Sequence, residues 1–238
     1  MRLALETATD RASVALGTTS ADAVVREIAG ARRQAAELLP MIDAVLRQAG
    51  ARLSELRGIV LSDGPGSFTG LRVGAAVAKA LVQARGLPLW IAPSLMVRAA
   101  GVARPGATIL AVADALRGEL YAAVYRFDAD AVRTLLQPSV HRPDDLAAAA
   151  MSPDVIVGEI AAAAEQLLTR WPGCVLIGPP AGLPHARTLL DLVGWVGGAL
   201  RVEPVAAWQP VYGRPAEAQA RWETAHGRPL PDSVGSRG

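Results

Sequence analysis

Cysteine, lysine, asparagine and aromatic residues are all scarce in this chain. One cysteine, Cys174, stands among 238 residues, so no disulfide can form within the chain. A reducing compartment is the simplest expectation. The same count excludes any zinc site built from two or more of its own cysteines. Lys79 is the only lysine and asparagine is absent. The arginine bias reads as genome composition, and turns fall to the 23 glycines and 17 prolines. Aromatics make up only 4%, so Ala, Val and Leu must pack the core. Neither sign of charge dominates: 24 basic and 22 acidic residues leave a net +2. An electrostatic nucleic-acid binder carries a far larger excess, although the isoelectric point is about 9.1. No run of roughly 18 apolar residues occurs, so no transmembrane helix is expected. Glu6 interrupts the first stretch too early for a secretory signal. With 51% hydrophobic residues and a mean hydropathy of +0.27, the chain reads as globular, soluble and cytoplasmic.

Hydrophobic periodicity supplies the organisation. Arg2–Glu6, Ala12–Leu16 and Val24–Ile28 predict three strands. A helix is expected over 33–48, with Leu38, Ile42 and Val45 on one face, a kink at Pro40 and a stop at Gly50. Gly58–Leu61 reads as a strand entering the loop Asp63-Gly-Pro-Gly-Ser-Phe-Thr-Gly70. Leu71–Arg85 reads as a helix capped by Gly86. The strand Leu87–Ile91 follows, then a helix Ser94–Val102 with Ser94 as N-cap. The pattern then recurs with Thr108–Asp114, Leu120–Phe127 and Val132–Leu136. Each half opens with a strand ending in an acid, a polar turn containing an arginine, and two more strands. That is a weak internal repeat. Beyond residue 140 come the strands Val155–Val157 and Val175–Ile177 and the helices Ile160–Trp171 and Ala186–Val196. A boundary between Val102 and Ala107 divides 1–104 from 105–226, and 227–238 reads as a disordered tail.

The loop from Gly64 to Gly70 is the most unusual segment. Between strand and helix, backbone N–H groups and the helix dipole can hold an anion. Its glycines would let a phosphate, or another stretch of backbone, come close. It matches neither the Walker pattern, since Leu71-Arg72 follow Gly70, nor the dinucleotide fingerprint, nor a hydrolase elbow around Ser67. A plain tight connection is the competing reading. Ser67 and Thr69 would then cap the helix. In that helix Gly70, Gly74 and Ala78 form a smooth stripe, suited either to the chain's own first helix or to a partner chain.

Other chemistry is thinly represented. His141, His185 and His226 are far apart and form no His-x-x-x-His pair, so no metal is expected. Cys174 reads as a small hydrophobe in an apolar strand. Glu6 and Asp114 suit either a catalytic acid pair across two half-domains or caps for their own hairpin turns.

Four stretches together resemble a known family. They are Leu3-Ala-Leu-Glu6-Thr7 with Ser13-Val-Ala-Leu16, Leu39-Pro-Met-Ile-Asp43, Gly64-Pro-Gly-Ser-Phe-Thr-Gly-Leu-Arg72, and Asp114-Ala115 with Gly118-Glu-Leu-Tyr121. In order and spacing this set resembles the TsaB (YeaZ) family, over about residues 1–127. Gln209-Pro-Val-Tyr212-Gly-Arg214 is similar to that family's C-terminal stretch. The resemblance implies an α/β protein of the ASKHA (actin-like ATPase) fold. It would have two lobes from a duplicated βββαβα-type unit, the second degenerate. It also implies a part in making N6-threonylcarbamoyladenosine in tRNAs that read codons beginning with A. The chain would be a non-catalytic scaffold that binds the TsaD transferase, joined by the TsaE ATPase, and would self-associate as a homodimer through the same surface. Contact with tRNA would come only through the complex, and no membrane would be involved. The implied interface is Glu37, Leu38, Met41, Ile42 and Val45 on the first helix, with Gly70, Arg72, Gly74, Val77, Ala78 and Leu81 on the second. Anion or nucleotide contacts would fall to Glu6, Thr7, Gly66, Ser67, Thr69 and Asp114. No resident cofactor is implied, beyond a nucleotide at a subunit boundary. Three departures stand out: Glu6-Thr7-Ala8 where the family often has Asp-Thr-Ser, Gln34-Ala35 where many members have His-Ser, and Leu116 after Asp114-Ala115. The alternatives are an ATP-dependent phosphotransferase of the same fold, using Glu6, Asp114 and the Gly64–Gly70 loop, or a glycoprotease-like metallopeptidase.

Overall fold

The computed structural model describes residues 1–30, 33–115, 118–148, 151–159, 164–213 and 226–227. Strands β1 (Arg2–Glu6), β2 (Arg11–Gly17) and β3 (Val24–Ala29) lead into helix α1 (Gln34–Gln48). Then come β4 (Ile59–Ser62), α2 (Phe68–Arg85), β5 (Leu89–Ala92) and α3 (Ser94–Ala100). The second half runs β6 (Thr108–Asp114), β7 (Leu120–Phe127), β8 (Val132–His141), α4 (Pro143–Ala148), β9 (Val155–Gly158), α5 (Ala164–Arg170) and β10 (Val175–Ile177). It ends with α6 (Ala186–Leu192) and the short β11 (Leu200–Arg201).

The two sheets repeat each other. One has the order β11-β5-β4-β1-β2-β3 and the other β10-β9-β6-β7-β8. In each, the first strand pairs antiparallel with the second and parallel with the fourth: β1 with β2 and β4, β6 with β7 and β9. The internal repeat is therefore a duplicated βββαβα-type unit, and the architecture is the ASKHA (actin-like ATPase) fold. The second copy is reduced. Among the described residues its first helix, α4, covers 6 residues where α1 has 15.

Packing explains the assignments. Leu38, Met41, Ile42 and Val45 of α1 face Leu3, Leu5 and Leu61 of the first sheet in one core cluster. A second cluster joins Ala4 and Val60 to Ile109, Ala111 and Ala123, with Leu95, Leu189 and Leu190 of α3 and α6 between the sheets. Each fully buried leucine contributes about 1.5–3 kcal/mol. With few aromatics available, such small contributions must be numerous.

Several boundaries differ from the sequence reading. Helix α2 starts at Phe68, three residues early, because the Ser67 Oγ accepts from the Gly70 N–H at 3.3 Å and fixes the N-terminus there. Ser94 is not the N-cap of α3; Pro93 is, and the Ser94 hydroxyl instead donates to the Pro65 carbonyl at 3.0 Å. Helix α6 stops at Leu192, and Val196 leaves to bridge Ala131. Strand β8 continues to His141 because β7 pairs with it along its length. Helix α4 and strand β11 had no sequence signal strong enough to place them. The departure at Leu116, Arg214 of the C-terminal stretch, the start of the 160–171 helix and residues 228–238 of the tail lie outside the described residues.

Candidate functional site

The ends of β1 and β6 open on a cleft between the sheets, about 450 Å³ in volume, lined among others by Thr9, Asp10, Ser67, Arg98, Asp114 and Tyr121. Glu6 and Asp114 occupy equivalent strand ends but opposite environments. Asp114 is exposed at the cleft, whereas Glu6 is completely buried. The Glu6 Oε1 accepts from the Ala8 N–H at 2.7 Å, so Glu6 closes its own hairpin turn. Burial raises its pKa, while the Ser62 hydroxyl, the Ala8 N–H and the charge of Arg98 temper the rise. Even so, Glu6 Oε2 has no hydrogen-bond partner of good geometry.

The glycines of the loop serve backbone contact. A Cβ at Gly66 would overlap the Ala8 carbonyl, and one at Gly70 the Thr7 carbonyl. The Ser67 N–H donates to the Ala8 carbonyl at 2.7 Å. Helix α2 is thereby locked to the β1–β2 turn. Thr7 is buried beneath it, Gly66 and Ser67 are half-buried, and Thr69 is exposed.

The smooth stripe is covered within the chain: Gly70 and Gly74 meet the β1–β2 turn and β4, and Ala78 packs in the core cluster that holds the α1 side chains. A Cβ at Gly74 would run into Thr7 Oγ1 and approach Leu61 Cδ1 at 3.1 Å, and Ala78 is fully buried. Small residues here let α2 sit down on the ends of β1 and β4. The residues expected at the interface divide by exposure. Leu38, Met41, Ile42, Val45, Gly70, Gly74 and Ala78 are buried within the chain itself and present no free surface. Val77 and Leu81 are half-buried against the same core. Glu37 is half-exposed and Arg72 exposed. On α1 the large exposed apolar side chain is Leu39, at 59%.

Two of the next three features, the states of Asp63 and Arg98, carried no usable sequence signal. Burial pushes the Asp63 carboxyl up to about 7; its own backbone N–H opposes this, and the charge of Glu6 adds to it. Arg98 is buried although it lies in the last turn of a short helix, where solvent exposure is the default. The segment before residue 214 packs as a strap on the loop between β4 and α2, and Tyr212 lines the cleft. The Val211 N–H donates to the Asp63 carbonyl at 2.7 Å, and the Tyr212 ring lies 4.6 Å from that of Phe68. The Arg72 guanidinium lies 4.3 Å from the Phe68 ring.

His185, His141 and Cys174 sit in local contacts. His185 caps α6, its Nδ1 accepting from the Arg187 N–H at 3.1 Å. Burial lowers its pKa, with Glu27 opposing the shift. His141 pairs with the Ser139 hydroxyl at 2.8 Å. Burial pushes the Cys174 thiol up to about 11, the reverse of activation. Among the described residues, no three His, Cys, Asp or Glu side chains are grouped to hold a metal. No described helix is long and apolar enough to cross a membrane.

Comparison with known proteins agrees with this geometry. A family model described as tRNA N6-adenosine threonylcarbamoyltransferase, TsaD, matches residues 19–172. The tRNA threonylcarbamoyladenosine biosynthesis protein TsaB of Escherichia coli (strain K12) is 37% identical over 135 residues, which is 55% of this chain and 57% of that protein. The matched stretch spans about half the length of the curated relatives. The solved structure of YeaZ from Pseudomonas aeruginosa superposes with a TM-score of 0.71 at 30% identity, covering 89% of this chain and 98% of that one. A second structure, of an uncharacterized protein with similarity to peptidase YEAZ from Pseudomonas aeruginosa, gives 0.72 at 31%, covering 90% and 99%.

Proposed function

The chain belongs to the tRNA N6-adenosine threonylcarbamoyltransferase family, on its TsaB (YeaZ) branch, and from that premise we propose that it is a non-catalytic subunit of tRNA threonylcarbamoylation. In this reading it binds and activates a TsaD transferase in the cytoplasm, together with the TsaE ATPase, and pairs with itself when TsaD is absent. It meets tRNA only through that complex, and any nucleotide sits at a subunit boundary. Lobes 1–104 and 105–226 supply, respectively, the docking helices and the frame behind them.

The likeness to the YeaZ structures over nearly the whole fold carries this reading. The state of Glu6 supports it. A carboxylate sealed under its own turn is out of reach of a substrate proton, which a general base must contact. The docking surface moves to the outward faces of α1 and α2, where Leu39, Arg72 and Ala76 are exposed. Leu39 is a large apolar side chain in solvent, on a helix whose other face is fully packed.

The test is light scattering after gel filtration, on the chain alone and mixed with the TsaD paralogue from the same organism. A 1:1 species formed at the expense of any self-dimer is expected. Leu39→Arg and Ala76→Arg should each weaken it about tenfold or more, roughly 1.4 kcal/mol, with circular-dichroism melts unchanged. Absence of a complex at micromolar concentration, with ATP and tRNA present or absent, would refute the reading.

A further inference from the structure

Residues 205–213 form no helix or strand, and Ala206, Ala207, Gln209, Val211 and Gly213 are exposed. Val205 and Trp208 pack against the first-lobe core. Two cations of α2 hold the segment as well. Lys79 Nζ donates to the Ala206 carbonyl at 3.3 Å and to the Trp208 carbonyl, and lies 5.5 Å from the Trp208 ring. The Arg72 guanidinium lies 4.3 Å from the Phe68 ring and 5.9 Å from the Tyr212 ring. A stretch with so little buried apolar surface has low local stability. Its charge-assisted contacts therefore decide whether it stays in place.

The far end of the segment touches both lobes. Phe68 of α2, Tyr121 of β7 and Tyr212 all line the cleft. The Tyr212 ring lies on Phe68, on the first-lobe side. A Cβ at Gly213 would come within 2.6 Å of Tyr121 Cε1, so the Gly213 backbone rests directly on that second-lobe ring. Tyr212-Gly213 thus joins one cleft wall to the other. Lys79 is not among the residues that line the cleft. It sits roughly three helical turns beyond Phe68, or about 16 Å along α2.

We propose that residues 205–213 are a latch through which α2 controls the cleft. Closed, the segment lies on Lys79 and Arg72, and Tyr212-Gly213 bridges the walls. Lifted from α2, it takes Tyr212 off Phe68 and Gly213 off Tyr121, and the aromatic end of the cleft opens to solvent. The latch adjoins the proposed docking face at Arg72 but acts whether or not a partner binds there.

The test perturbs Lys79 and reads the cleft. Lys79→Met keeps an unbranched stem beside Trp208 and removes the ammonium; Lys79→Arg restores a cation. Hydrogen exchange of the full chain, followed by mass spectrometry, reports on the Val211 N–H, which donates to the Asp63 carbonyl, and on its neighbours. Hydroxyl-radical footprinting reports on the cleft rings. In Lys79→Met, exchange over 205–213 should rise about tenfold or more, the weight of a hydrogen bond to a charged group. Oxidation of Tyr121 should rise with it, while that of the fully buried Tyr125 stays unchanged. Lys79→Arg should return both readings towards the wild type. Lys79 is the only lysine, so acetylating the folded wild-type chain with N-hydroxysuccinimidyl acetate neutralises that one side chain. It should reproduce the Lys79→Met response, which keeps the test decisive if the variant does not fold. Unchanged exchange in Lys79→Met or in the acetylated chain would overturn the proposal. Faster exchange with no change at Tyr121 would overturn it too, since the contact would then be a local clasp without hold on the cleft.

Discussion

Asp63→Asn isolates the buried acid at the start of the loop. The Asp63 carboxyl moves from an ordinary 3.8 to about 7 on folding, chiefly through burial. The folded chain therefore holds this proton more tightly than the unfolded chain. The resulting stability is present at low pH and is lost as pH rises from about 4 through 7. For these two values, linkage gives a loss of roughly 2–3 kcal/mol between pH 5 and pH 8. At roughly 2–4 °C per kcal/mol for a chain of this size, the midpoint should fall by about 5–10 °C. Asparagine keeps the shape and removes the charge, so its melting should show less of this fall. The assay is denaturant or thermal unfolding of both proteins at pH 5, 6.5 and 8. Parallel pH profiles would refute the claim that Asp63 is buried and protonated near neutrality.

Other consequences follow from the packing of α2. Gly74→Ala should destabilise by about 1–3 kcal/mol, since its methyl would strike Thr7 and Leu61; chemical denaturation reads this directly, and a neutral result would mean that the helix stands off the sheet. Ser67→Ala removes the N-cap of α2 and should cost about 1 kcal/mol, measured in the same way. Tyr212→Ala removes the ring that packs on Phe68 and should speed limited proteolysis near residues 209–213; an unchanged cleavage pattern would show that the strap is held elsewhere.

The duplicated topology was legible because each copy keeps its period-2 strands and ends its first strand with an acid. Leu38, Ile42 and Val45 announced α1 by spacing alone, and the same spacing marks the face that turns inward. Those side chains lie in the chain's own core; periodicity identifies the side a helix buries, without saying whether its own chain or a partner covers it. Gly70 and Gly74 carried the same ambiguity, resolved only when Thr7 and Leu61 were found against them. Arg98 and Asp63 were illegible for a different reason. Their burial depends on the second lobe and the C-terminal segment closing over them, contacts made at long sequence separation. Strand β11 is two residues long and exists only because β5 offers it an edge.

Reconstituted threonylcarbamoylation of tRNA most directly tests the assignment as a non-catalytic partner. The TsaD paralogue would be supplied with threonylcarbamoyl-adenylate, tRNA and TsaE, with and without this chain, and the chain would also be tested without TsaD. Modified tRNA is expected only when both proteins are present, and Leu39→Arg should reduce it in step with the loss of complex. Modified tRNA from this chain without TsaD, or equal yields from TsaD with and without it, would contradict the account.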